Sequence, residues 1–246
     1  MIYLFCGVII GIVMGLTGAG GALVAIPLFM HFFSMGLKEA SVYSLLAVVV
    51  ASLLNYLSQR ESTQYKTAII IVAVSAIGSY LTAPFKEVLP SIYVALILSF
   101  ISLYALYSVW KPNKASITGQ ILPVKESTPL SITVGFILGA LTTFTGLGGG
   151  VLMLPIFLAF YRFSQSQAVA TSLFAVGLSS LASLIVQISL GASFNVDMGL
   201  GYLMIGILSS VLILKQFVIK LPITIVSPLR KLVFTSVVIL AISKIF

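Results

Sequence analysis

Gly146-Leu147-Gly148-Gly149-Gly150-Val151-Leu152-Met153-Leu154-Pro155-Ile156-Phe157 repeats, without a gap, the stretch Gly18-Ala19-Gly20-Gly21-Ala22-Leu23-Val24-Ala25-Ile26-Pro27-Leu28-Phe29. The match continues outward on both sides. Gly7, Ile9, Gly11 and Thr17 align with Gly135, Ile137, Gly139 and Thr145. Beyond the glycines, Ala40, Ser44, Leu45, Ala47, Val48, Ser52 and Leu53 align with Ala168, Ser172, Leu173, Ala175, Val176, Ser180 and Leu181. A duplicated hydrophobic chain, broken by glycine and proline at corresponding places, points to the architecture of a secondary transporter and to its binding site.

Composition supports a membrane setting. Hydrophobic residues make up 60% of the 246 positions and charged residues 7%, whereas soluble domains carry about 25% charged residues. The apolar stretches do not alternate as barrel strands do, so the expected class is an all-α polytopic membrane protein. The net charge of +8 comes from Lys and Arg scattered singly. Such scattering reads as topology and contact with anionic lipid, not nucleic-acid binding. A single cysteine, Cys6, offers no disulfide framework and no thiolate metal cage, and nothing calls for a cofactor. The first apolar run has no basic n-region and no small-x-small cleavage site, so it reads as an uncleaved membrane segment.

Apolar runs fall near 2–33, 41–57, 67–85, 91–110, 130–161, 167–191, 198–214 and 229–246. The polar stretch 111–129 separates a first repeat, 1–110, from a second, 130–246. The first and fifth runs are too long: as single helices of about 32 residues they would measure about 48 Å against a core of about 30 Å. Each is therefore a glycine-broken hairpin, or a full helix followed by a half helix, accompanied by about three transmembrane helices per repeat. If each long run returns to its side of entry, Arg60, Lys66, Lys111, Lys114, Lys125, Arg162, Lys215, Lys220, Arg230 and Lys231 share one face. Lys38, Lys86 and Lys244 then occupy the other. That asymmetry fits the positive-inside rule and makes the repeats inverted, with the 111–129 linker cytoplasmic and both termini outside a plasma membrane.

Clustered glycines end a helix, and broken backbone at membrane depth persists only where it is buried in protein or lines a wet cavity. The arms after the clusters begin near Ala22 and Gly150, with their positive helix ends turned toward the break. Thr17, Gly18, Gly20 and Gly21 in the first half, with Thr145, Gly146, Gly148, Gly149 and Gly150 in the second, are candidate substrate-binding residues. Pro27 and Pro155 free the carbonyls of Leu23 and Val151. The combination suits a small oxyanion, although the carbonyls also suit Na⁺. Gly7, Gly11 and Gly15, at i, i+4 spacing, read instead as a helix-packing face. There is no Lys-Ser/Thr for a P-loop and no third glycine for a dinucleotide turn.

Polar residues in the second run of each half extend the candidate set: Ser44 and Asn55 in the first, Thr171, Ser172 and Gln187 in the second. Their hydroxyls and amides either line a pore or bond neighbouring backbone. No Asp, Glu, Lys or Arg lies clearly mid-membrane, so the carboxylate relay of a pump is not expected. Coupling would use carbonyls, hydroxyls, His31 or the charge of the substrate. No HExxH, carboxylate pair or base-activated serine suggests an enzyme.

The second half, Gly146-Leu147-Gly148-Gly149-Gly150 with Pro155 and Ala168-Val169-Ala170-Thr171-Ser172-Leu173, resembles the TauE/SafE family of sulfite exporters; the first half departs at Ala22 and Tyr43. The resemblance implies export of sulfite, thiosulfate or organosulfonates, with a small anion and the bilayer as partners. A homo-oligomer is compatible with it. A passive anion channel and a non-transporting membrane assembly or sensor subunit are the competing readings.

Overall fold

A computed structural model describes residues 1–17, 21–90, 92–94, 96–97, 99–100, 103, 107, 128–191, 198–213 and 235. Within them run α1 (Ile2–Thr17), α2 (Gly21–Phe32), α3 (Leu37–Leu57), a 3-10 turn at Arg60–Ser62, α4 (Tyr65–Val88), α5 (Thr128–Thr145), α6 (Gly150–Ala159), α7 (Gln165–Ser189) and α8 (Met198–Ile213). Further helical residues lie between 92 and 107, and the described residues contain no strand. Spans Leu37–Leu57, Tyr65–Lys86, Thr128–Thr145 and Ser166–Ser189 are long and apolar enough to cross a membrane. The protein is an all-α polytopic membrane protein. Linker residues 111–127 and, apart from residue 235, the run 229–246 lie outside the described residues.

Helices α3, α4 and α7 begin two to four residues before the apolar runs that announce them, because their first turns are polar. Glu39 sits in the first turn of α3, where a carboxylate favours the positive helix end. Ser164 caps α7 through a capping box, accepting from Gln167 N at 3.3 Å while Gln167 Oε1 accepts from Ser164 N at 3.0 Å.

Each long run folds back as a hairpin. The ring of Tyr3, at the start of α1, stacks on Phe33, just past α2, with centroids 4.1 Å apart. In the corresponding places of the second half, Ser131 near the start of α5 is hydrogen-bonded to Tyr161 just past α6, at 2.8 Å. The chain leaves both hairpins by the same left-handed step, at Ser34 (φ 53°) and Arg162 (φ 56°). A ring stack in one copy and a hydroxyl pair in the other thus close the same geometry. Helix α6, at 10 residues, is about 15 Å long, a half-span.

The two halves interlock. Helix α1 packs along α8, and α4 packs along α5. Both seams are glycine-lined: Gly7 and Gly11 face Gly206 and Ser210, while Gly135 and Gly139 face Ile71, Ser75 and, one turn on, Gly78 faces Phe136. The packing role read for Gly7 and Gly11 is borne out. At the centre, α3 and α7 pack together in reversed order. Leu45 meets Leu184, Gly177 abuts Ser52 and Leu53, and the ring of Tyr56 lies 5.0 Å from Phe174. Repeat-equivalent helices therefore cross antiparallel, the relation an inverted repeat demands.

Candidate functional site

The second glycine break is a run of left-handed backbone. Gly146, Gly148 and Gly149 have φ of 71°, 65° and 67°, a region that costs other L-residues about 1–2 kcal/mol each. Helix α5 ends with Gly146 N donating to Thr142 O at 2.8 Å. Thr145 Oγ1 donates back to Leu141 O at 2.6 Å and accepts from Leu147 N at 3.3 Å, so this hydroxyl organises the break from within. Gly149 is the N-cap of α6, its carbonyl accepting from Leu152 N and Met153 N at 3.2 Å each. The first N–H groups of α6 have no carbonyl before them in the helix. Pro155 sits inside α6 and Pro27 inside α2, each removing one i→i−4 bond.

The break is seated on the crossing of α3 and α7. Ser44 Oγ donates toward Gly146 O at 2.7 Å and Ser41 O at 2.9 Å. A side chain added to Gly146 would strike Ser41. One added to Gly148 would meet Ser180 Oγ, and Val48 Cγ1 at 2.9 Å and Val176 Cγ1 at 3.5 Å. Val48 and Val176 are repeat-equivalent, so Gly148 stands at the centre of the crossing. Added to Gly149, it would lie 3.1 Å from Leu138 Cδ2 and 3.3 Å from Thr142 Oγ1. Ser180 and Thr142 are fully buried, and neither hydroxyl has a hydrogen-bond partner. Buried polar groups are normally paired; here one unpaired hydroxyl, Ser180, faces Gly148 and another, Thr142, faces Gly149.

One charged residue is more buried than its place at the end of an apolar run implied. Lys86, placed from the sequence on the outer face, is 5% exposed and belongs to the last turn of α4. Its ammonium donates to Ser41 Oγ at 2.8 Å on α3 and to Gln187 Oε1 on α7. Ser41 in turn donates to Lys38 O at 2.6 Å. The amide nitrogen of Gln187 is buried without an acceptor. The sequence carries little signal for this burial, since Lys86 is followed directly by Glu87 before Val88 and Leu89.

Of the remaining candidates, Gly150 opens α6 and Gln187 joins the lysine cluster. Asn55 is eleven residues along α3 from Ser44, about 16 Å, and donates through Nδ2 to Ala51 O at 2.8 Å. Thr171 Oγ1 accepts from Gln64 N at 3.0 Å in the turn before α4, and Ser172 Oγ donates to Val169 O at 2.9 Å. These three are not brought to the second break. Gly18 and Gly20 lie outside the described residues; Thr17 ends α1 and Gly21 begins α2. His31 stands on the exposed end of α2.

Comparison with known proteins agrees with this architecture. The chain is 27% identical to the probable membrane transporter protein YunE of Bacillus subtilis over 74% of this chain and 75% of that protein. It is 26% identical to a probable membrane transporter protein of Methanocaldococcus jannaschii over 73% and 68% of the two chains. A third such protein, from Xylella fastidiosa, is 24% identical over 70% and 67%. No solved structure matches. The family model described as Sulfite exporter TauE/SafE matches residues 3–244, so from one end of the described fold to the other this chain belongs to the TauE/SafE family of membrane transporters.

Proposed function

We propose that the protein exports small sulfur-containing anions, namely sulfite, thiosulfate or organosulfonates, by alternating access of its two halves. The substrate is held at the glycine breaks. The observation that carries this reading is the set of left-handed glycines Gly146, Gly148 and Gly149 in the interior, with the unpaired hydroxyls of Ser180 facing Gly148 and of Thr142 facing Gly149. A helix start and free hydroxyls together supply donors to an oxyanion without requiring a carboxylate to be removed. Membership of a family named for sulfite export supplies the substrate class.

Proteoliposomes loaded with radiolabelled sulfite test it. Saturable efflux, accelerated by unlabelled sulfite on the opposite side, is the expected result. Flux without saturation or trans-stimulation would instead make the protein a passive channel. Absence of flux with sulfite, thiosulfate and methanesulfonate would leave the assembly or sensor reading. Orientation follows the placement of cations, with 111–129 cytoplasmic and both termini outside a plasma membrane. In a Cys6→Ser background, a cysteine at Lys114 is expected to resist a membrane-impermeant maleimide in intact cells, while one at Ser34 reacts. The reverse pattern would invert the topology.

A further inference from the structure

We infer that Lys86, Gln187 and Ser41 form an oxyanion-head subsite beside the second glycine break: Lys86 supplies the counter-charge, Gln187 a second donor, and Ser41 holds the lysine in place. The inference rests on the transport reading above and deepens it, since it adds a charged contact that neither glycine cluster contains.

A buried polar cluster is costly in a transmembrane protein, and the group left without a partner in this one is the amide nitrogen of Gln187. Lys86 is held from two other helices, by Ser41 Oγ at 2.8 Å and by Gln187 Oε1. That second bond fixes the amide. Rotating it would set the N–H₂ group against the ammonium, donor against donor. With Oε1 turned to the lysine, Nε2 has no acceptor although Gln187 is only 4% exposed. Leaving a buried donor unsatisfied is expensive. An anion bound by the ammonium and by this N–H₂ group would satisfy it, because the amide carries Nε2 beside the oxygen that Lys86 already touches.

The cluster adjoins the break. Ser41, which accepts from Lys86, is also the residue against which Gly146 packs: a Cβ on Gly146 would lie 2.5 Å from Ser41 Cβ and 2.6 Å from Ser41 O. Ser44, one turn along α3, is bonded to the Gly146 carbonyl. An anion on Lys86 therefore sits next to the glycines, not at a separate surface site. Two donors of different direction suit an anion with several oxygens, such as a sulfonate or sulfite, better than a halide. The charge is one-sided: the place of Lys86 in the second repeat is taken by Leu214. Duplication alone does not explain it.

The test is equilibrium binding to purified protein in detergent, paired with flux in proteoliposomes, using methanesulfonate, its uncharged near-isostere dimethyl sulfone, and chloride. Wild type is expected to bind methanesulfonate and to discriminate against the other two. Lys86→Met should weaken methanesulfonate at least about tenfold, with Lys86→Arg recovering most of the loss. Gln187→Glu covers the case in which the methionine variant fails to fold. Its carboxylate has nearly the shape of the amide, pairs with Lys86, and occupies the position of the anion, so the protein should remain folded and lose methanesulfonate binding. Wild-type affinity and flux in folded Lys86→Met, or in Gln187→Glu, would overturn the subsite while leaving the transport reading intact. Failure of wild type itself to bind or carry any sulfur oxyanion would overturn both.

Discussion

Gly148→Leu is expected to abolish sulfite efflux, by tenfold or more, in protein that still purifies as a folded species. Gly148 has φ 65°, so any side chain first incurs the left-handed strain of about 1–2 kcal/mol. Its Cβ would then meet Ser180 Oγ, with Val48 Cγ1 only 2.9 Å away. Leucine would thus fill the space in front of the unpaired Ser180 hydroxyl and wedge apart the α3–α7 crossing. Gly191→Ala separates strain from site. Gly191 has φ 86° but nothing within 4 Å of its Cβ, so that variant bears the backbone cost without the collision. It should transport as wild type does. Equal flux from Gly148→Leu and wild type would remove the second break from the transport path; equal loss from Gly191→Ala would reduce the effect to general destabilisation.

The sequence revealed the break, its duplication and the packing role of Gly7 and Gly11, because glycine clusters and i, i+4 spacing leave direct marks on composition. It left open whether each long run is a hairpin. Lengths could not decide this, since the closing contacts use unlike residues: Tyr3 on Phe33 in one copy, Ser131 with Tyr161 in the other. The shared left-handed step at Ser34 and Arg162 is likewise invisible, as neither residue type announces it. The candidate polar set was only partly resolved for a similar reason. Thr171 and Ser44 look alike in an apolar run, yet one hydroxyl accepts from the backbone of Gln64 and the other reaches Gly146. Lys86 was placed on the outer face with Lys38 and Lys244, because lysines at the ends of apolar runs usually reach the interface. Only the convergence of α3, α4 and α7 shows that its head turns inward.

That convergence depends on how closely the helices approach, and the glycine seams set the distance. Gly139→Leu is expected to prevent folding, or to lower the melting temperature in detergent by about 6–12 °C, corresponding to about 3 kcal/mol of overpacking. A Cβ there would lie 2.8 Å from Ser75 Cα, and one on Gly135 would lie 2.8 Å from Ile71 O. The obstacle is backbone, which cannot rotate away as a side-chain tip can. Separating α4 from α5 also breaks the bond from Ser79 Oγ to Gly139 O at 3.1 Å and strains its pairing with Ser183 on α7 at 2.6 Å. Within a bilayer no hydrophobic force between helices offsets the loss, because close van der Waals contact and hydrogen bonds hold the seam. Gly7→Leu should act alike on the α1–α8 seam, where the Cβ would fall 3.1 Å from Gly206 Cα. Gly36→Ala and Gly201→Ala, with nothing within 4 Å, should melt with wild type. Unchanged melting of both seam variants would mean that the helices do not approach this closely. The position of Lys86 against Ser41 and Gln187, set on α4 beside the same seam, would then lose its structural basis.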